Sequence, residues 1–433
     1  MVLPITAKIN ERNHLEIGGC DTVELAQRFG TPLFVMDEET IRRKCREYLG
    51  AFTKRSENVE IIYAGKALLS LAMCQIIKEE GLSLDVSSGG ELYIAIKAKF
   101  PPKKIYIHGN NKTPEELNLA LDHDVGCIIV DSESELELLD EMAVKKGKKP
   151  RIFLRITPGI TVTTHSYIQT GQVDSKFGFG LVNGTALNAV KKALVMKSVN
   201  LTGLHTHIGS QIFALHSYAK AIELIMEFVK QVLDETGFEV RELNAGGGLG
   251  IKYEATDEPS TIDEYAEVIV GGIREEAKRL GLPIPKIMIE PGRSIVGNAG
   301  VTLYTIGTIK MIPGVRTYIS VDGGMSDNLR PMLYDAVYEA IIANKASSKP
   351  SVKVTIAGKH CESGDILIKD AILPEVEVGD ILCTPATGAY GYVMANNYNK
   401  QPRPPVVLVK DGRARTIIRR ETYEDLLRLE ELL

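Results

Sequence analysis

The chain has 433 residues, 44% hydrophobic and 25% charged, with a formal net charge of −5. This is ordinary globular composition at a length that suits two or three domains, and it lacks the basic footprint expected of a nucleic-acid binder. No apolar run is long enough to span a bilayer. The cysteines at 20, 45, 74, 127, 361 and 383 form no CxxC pair, so neither a zinc site nor a disulfide framework is expected. The N-terminal MVLPITAKIN has no apolar core and no cleavage site, and a reducing cytoplasm is the expected compartment.

Short β-rich apolar runs recur along the chain, with helical periodicity between them. Strands are predicted near Val59–Tyr63, Ser83–Val86, Lys104–Ile107, Cys127–Val130, Arg151–Ile156, Leu201–His205, Glu242–Asn244 and Lys286–Ile289. Helices are predicted over Leu68–Glu80, Pro114–His123, Glu133–Lys146, Ser217–Thr236 and Ile262–Leu280. Thr113 followed by Pro114 marks a helix start, with a capping hydroxyl and then proline in the first turn. Strands alternating with helices imply a parallel sheet, either closed or open and doubly wound, and eight of them favour a (β/α)8 TIM-type barrel.

After about residue 300 the texture changes to short strands punctuated by Gly and Pro. They are expected at Val301–Lys310, Thr317–Val321, Val352–Ala357, Asp380–Thr384 and Val406–Val409. The predicted organisation is a barrel over 35–299, with 1–34 and 300–433 forming a mainly-β domain.

Functional residues of such barrels come from the C-terminal ends of the strands. Lys66, Asp85, Arg155, His207, the Gly246–Gly248 run and Glu290 each follow or end a predicted strand. A lysine at a barrel mouth can form a Schiff base with a carbonyl; alone, Lys66 could equally be a solvated charge. Gly246, Gly247 and Gly248 follow the seventh strand, and Glu290-Pro291-Gly292-Arg293 ends the eighth. Glycine loops at these two places suit a phosphate, although either could be an ordinary tight turn. Glu290 could face a pyridine nitrogen or simply pair with arginine. His205 and His207 lie two apart on the sixth strand, with no third residue at metal-ligand spacing. An imidazole stacked on a flat cofactor, with Ser210 reaching phosphate, fits better than a metal; His205 could be a core histidine. Cys361 could be a small buried hydrophobe, but Glu362 and Asp365 beside it suit a proton donor.

The segments YAGKA, HIGSQ, NAGGGLGI, EPGRS, DGGMSDNLRPMLYDA, CESGD and GAYGYVMANNYN occur in that order over Tyr63–Asn399, after TPLFV near the start. Together they resemble the diaminopimelate decarboxylases, within the alanine-racemase-like barrel class of pyridoxal-phosphate enzymes. The resemblance implies pyridoxal 5'-phosphate as cofactor and Lys66 as its Schiff-base lysine. It implies Glu290 against the pyridine nitrogen and His207 on the ring face. Asp85, Ser210, Gly247, Gly248, the Glu290–Arg293 backbone (Pro291 and Gly292 included) and Tyr390 would complete the cofactor site. Arg293, Arg330, Tyr334, Glu362 and Tyr390 would hold substrate. Cys361 would be the proton donor, supplied across the interface of a homodimer with shared active sites. Two positions depart from the family pattern: Leu68 stands where many relatives carry asparagine, and Thr206 replaces a frequent cysteine. Tuning rather than loss of activity is the expectation.

The reaction so implied is decarboxylation of meso-2,6-diaminopimelate to L-lysine. A related decarboxylase acting on ornithine, arginine or carboxynorspermidine is the alternative. Arg293 and Arg330 favour a substrate with a distal carboxylate. A non-catalytic pyridoxal-phosphate carrier or a Schiff-base aldolase would not need the second domain or CESGD.

Overall fold

A computed structural model describes residues 2–160, 174–182 and 184–433. Two compact units emerge: one of residues 44–250 and 258–293, the other of residues 1–43, 251–257 and 294–433.

The first unit is a closed barrel of eight parallel strands: Val59–Ala64, Ser83–Val86, Ile105–Ile107, Cys127–Val130, Arg151–Thr157, Asn200–Thr206, Glu242–Asn244 and Lys286–Ile289. The eighth strand pairs with the first (Met288 with Glu60) and the fourth with the fifth (Ile129 with Phe153), which closes the ring. The predicted strands therefore hold to within a residue at each end.

Helices follow the strands, and their ends have local causes. Pro114–Asp122 begins on a capping box formed by Thr113 and Glu116, and Ile262–Leu280 on one formed by Thr261 and Glu264. Gly147 and Gly281 end their helices in the left-handed region that a Cβ disfavours.

Inside the barrel, Ile62, Tyr106, Cys127, Ile129, Phe153 and Met288 form an apolar plug. At the strand starts, Arg151 pairs with Glu242 (2.6 Å) and Lys286 with Glu60. The Arg151 guanidinium also lies 5.0 Å from the Phe153 ring centroid. With that end closed by packing and ion pairs, the strand C-termini are left for chemistry.

The second unit is built on a sheet ordered Ile366–Leu373, Val352–Ala357, Arg316–Val321, Gly300–Ile312, Leu33–Asp37, Val406–Lys410, Arg413–Ile418. Leu33–Asp37 lies antiparallel to Gly300–Ile312 and parallel to Val406–Lys410, so the N-terminal strand is interior to a sheet made mostly of late sequence. Two of its strands, Ile366–Leu373 and Arg413–Ile418, are absent from the sequence reading. Both are edge strands with exposed polar positions, where the apolar alternation is weak. No described helix is long and apolar enough to cross a membrane.

Candidate active site at the barrel mouth

The first strand ends at Ala64, and a short 3-10 turn, Gly65–Ala67, carries Lys66 out of the wall with its side chain exposed. Asp85 is the third residue of the second strand and is 2% exposed. Its Oδ1 is buried with no hydrogen-bond partner among the described residues. Burial pushes the Asp85 carboxyl up, against the pull of His108.

Glu290, just beyond the eighth strand, is the hub of the mouth. Its Oε1 accepts from Asn244 Nδ2 at 2.7 Å and lies 2.8 Å from His108 Nε2; its Oε2 lies 3.0 Å from His205 Nε2. Burial opposes its charge, but His108 and His205 outweigh burial and hold Glu290 well below the usual carboxylate range. Burial also holds His205 down to about 4, against the attraction of Glu290. At neutral pH His205 is therefore a neutral donor. The sequence alternative of a glutamate paired with arginine does not hold: the partners are two imidazoles and an amide, and Arg293 turns elsewhere.

Arg293 donates to Ser210 Oγ from Nη2 (2.9 Å) and Nε (3.3 Å). His207 Nδ1 accepts from the Gly247 N–H at 3.3 Å. Desolvation, then the charges of Lys66 and Arg155, hold the His207 imidazole well below its ordinary value. His207 lies one residue past the end of its strand.

The glycine run is packed backbone against backbone. A Cβ on Gly247 would collide with the Glu290 carbonyl, and one on Gly248 (φ +109°) with the Gly209 carbonyl. The Pro291 carbonyl accepts from Ala64 N–H at 3.0 Å, and Gly292 lies against Ala64 and Ala67. The loops after strands six, seven and eight and the turn bearing Lys66 are thereby drawn into one cradle. Arg155, on strand five, has Nη1 3.6 Å from Asp131 Oδ2 and lies over the Phe177 ring, 4.2 Å from the centroid.

Lys66, Asp85, His207, Ser210, Gly247, Gly248, Glu290, Pro291, Gly292 and Arg293 all belong to the barrel unit. Arg330, Tyr334, Cys361, Glu362 and Tyr390 belong to the second. There Cys361 is exposed, and its N–H donates to Asn399 Oδ1 at 2.8 Å. Glu362 is exposed, and Tyr390 adopts a positive φ of 55°. Arg330 is 5% exposed; its guanidinium donates to the Tyr338 hydroxyl and lies 4.7 Å from the Tyr253 ring centroid. Tyr334 ends the helix Arg330–Tyr334.

Sequence reasoning missed His108 and did not single out Asn244. Each sits at the C-terminal end of a barrel strand, so the rule that picked the other residues would have found them. His108, His205 and Glu290 also supply the third metal-type ligand that spacing did not reveal. Their polar atoms, however, are engaged with one another as donors and acceptor.

This donor set fits pyridoxal phosphate. It offers an amine, a carboxylate held ionised by two imidazoles and an amide, and a hydroxyl–guanidinium pair beside a glycine cradle that side chains would fill. The class defined by fold and site is that of pyridoxal-dependent decarboxylases: the family model described as "Pyridoxal-dependent decarboxylase, pyridoxal binding domain" matches residues 38–297. The chain is 50% identical over 430 residues to the diaminopimelate decarboxylase of Bacillus subtilis, covering 99% of this chain and 98% of that one. It is 51% identical to that of Halalkalibacterium halodurans, covering 98% and 97%. A crystal structure of diaminopimelate decarboxylase from M. jannaschii superposes with a TM-score of 0.93 at 38% identity, covering 99% and 98%. The chain belongs to the diaminopimelate decarboxylase family, whose cofactor is pyridoxal 5'-phosphate.

Proposed function

We propose that the chain decarboxylates meso-2,6-diaminopimelate to L-lysine and carbon dioxide, the last step of lysine biosynthesis. It is a carbon–carbon lyase of the amino-acid decarboxylase type. The observation that carries this reading is full-length kinship with diaminopimelate decarboxylases. The M. jannaschii relative has also been solved in complex with L-lysine, which is the expected product here.

Lys66 Nζ would hold the cofactor at its aldehyde carbon. Ser210, Gly247, Gly248 and the Glu290–Arg293 backbone would hold the phosphate, Glu290 would face the ring nitrogen, and His207 would lie on the ring face. Asp85 and Tyr390 complete this set. Bound pyridoxal phosphate supplies an electron sink for the pair left when carbon dioxide departs. Glu290 would keep a proton on the ring nitrogen, because its negative charge favours the protonated ring. Arg293 and Arg330 would pair the substrate carboxylates, Glu362 its distal ammonium, with Tyr334 and Tyr390 beside them. Cys361 would deliver the proton that returns to the α-carbon.

Purified holoenzyme should release carbon dioxide from meso-diaminopimelate far faster than from L-lysine, L-ornithine or L-arginine. Each lost charge-assisted pair weakens binding by about one to two powers of ten. Equal efficiency on ornithine would remove the diaminopimelate assignment and keep the decarboxylase class.

The proposed assembly is a cytoplasmic homodimer in which each active site draws Lys66 from one subunit and Cys361 from its partner. Family resemblance supports it. Mixing inactive Lys66→Ala and Cys361→Ala proteins under exchange conditions should restore about a quarter of wild-type activity, because half the dimers are mixed and each has one intact site. Activity that stays at parental level after verified exchange would place both groups within one chain.

A further inference from the structure

Glu290 is a carboxylate with room for about four hydrogen bonds, and the fold fills three of them. Two donors share Oε1, His108 at 2.8 Å and Asn244 at 2.7 Å, while among the described residues Oε2 meets His205 alone at 3.0 Å. One acceptor position therefore stays open, on Oε2. His108 does more than fill a position. It is 7% exposed, its Nε2 lies 3.9 Å from Asp85 Oδ1, and its ring sits edge-on to His205 with centroids 4.8 Å apart. It thus stands between the two buried carboxylates of the mouth. Among the described residues Asp85 Oδ1 has no hydrogen-bond partner, and the charges of Asp85 and Glu290 raise each other's proton affinity. Removing the imidazole would leave Asp85 and Glu290 facing each other, with one donor fewer on Oε1.

We propose that His108 is a positioning residue of the reaction. By donating to Oε1 and separating Asp85 from Glu290, it keeps Glu290 ionised and turns the open Oε2 position toward the ring nitrogen of the cofactor. Asn244 shares the task from the opposite side of Oε1. The inference rests on the pyridoxal-phosphate reading of the site, but part of its test needs no cofactor.

The variants are His108→Phe, which fills the space without a donor, and His108→Gln, which restores a donor. On the cofactor-free protein, the infrared carbonyl band of protonated Glu290 is identified by its loss in Glu290→Gln. It should appear at a pH about one unit or more higher in His108→Phe than in wild type. On the holoenzyme, the 15N resonance of ring-labelled pyridoxal phosphate should move toward the neutral-pyridine position in His108→Phe. Its kcat should fall about tenfold or more, with KM within about threefold. His108→Gln should recover most of the kcat and the wild-type 15N position.

If His108→Phe keeps kcat and the 15N resonance, or if both variants are equally slow with the resonance unmoved, the proposal is overturned and His108 merely fills space. Should His108→Phe fail to fold, His108→Asn, too short to reach Oε1, takes its place against His108→Gln under the same criteria. Wild-type holoenzyme without decarboxylase activity would sink the functional reading, while the infrared comparison would still decide the role of His108 toward Glu290.

Discussion

Each unit of this protein buries a carboxylate against histidine, and the two are held in opposite ways. In the barrel, Glu290 is surrounded by side chains: His108, His205 and Asn244. In the β unit, Asp365 lies 2.7 Å from His360 Nδ1 and accepts from the backbone N–H groups of Met325 (2.7 Å) and His360 (2.9 Å). A Cβ on Gly324 or Gly358 would collide with the Asp365 carboxylate, so the backbone closes tightly around it. Side-chain donors can rotate or change tautomer and so hold a charge available for a ligand. Backbone donors cannot, and a carboxylate held by them becomes part of the scaffold. Asp365 braces the turn that carries Cys361 and Glu362, whereas Glu290 faces the chemistry.

The largest expected effect is on the barrel side. Glu290→Gln should fold and bind cofactor, because His205 Nδ1 is buried without a partner among the described residues and the ring can shift its proton there, letting Nε2 accept from the new amide. Turnover at saturating substrate should nevertheless fall by about two to three orders of magnitude, the usual cost of removing a preorganised electrostatic group. Unchanged turnover would end the assigned role.

Asp365→Asn sharpens the contrast. Whichever oxygen it replaces, the new amide NH2 meets the backbone N–H of Met325 or of His360, and neither can become an acceptor. Unfolding in urea should show a loss of about 2–3 kcal/mol, the cost of leaving buried donors unmet. A variant as stable as wild type would mean that Asp365 does not brace the turn.

The smallest effect is a pH dependence of the barrel. His205 binds its proton near pH 4 when folded and near 6.5 when unfolded, so the unfolded chain carries the extra proton between those values. Its burial therefore weakens the fold as pH falls through that window. His207, held well below its ordinary value chiefly by burial, acts in the same sense, and Asp85 and Glu91, raised chiefly by burial, act in the opposite one. Urea titrations of the cofactor-free protein should show this slope flattened in His205→Gln. An unaltered slope would assign the dependence to other groups.

Hydrophobic runs with helical stretches between them determined the barrel. The strands are largely buried on both faces and several helices begin at a capping Ser or Thr, so periodicity and capping residues were enough. The same reading placed Lys66, the glycine run and Glu290 at strand ends, because the strand ends could be counted. Ordered motifs added the family and, through it, the cofactor. The edge strands Ile366–Leu373 and Arg413–Ile418 escaped because a solvated edge needs no apolar alternation. Nor could sequence place Leu33–Asp37 between Gly300–Ile312 and Val406–Lys410, since pairing across hundreds of residues leaves no local mark. The partners of Glu290 were hidden for the same reason. His108, His205 and Asn244 come from three different strands, and only closure of the barrel brings their donors to one carboxylate. Residue type and strand position are local properties of a chain; which lone pair meets which proton is decided by the ring of strands as a whole.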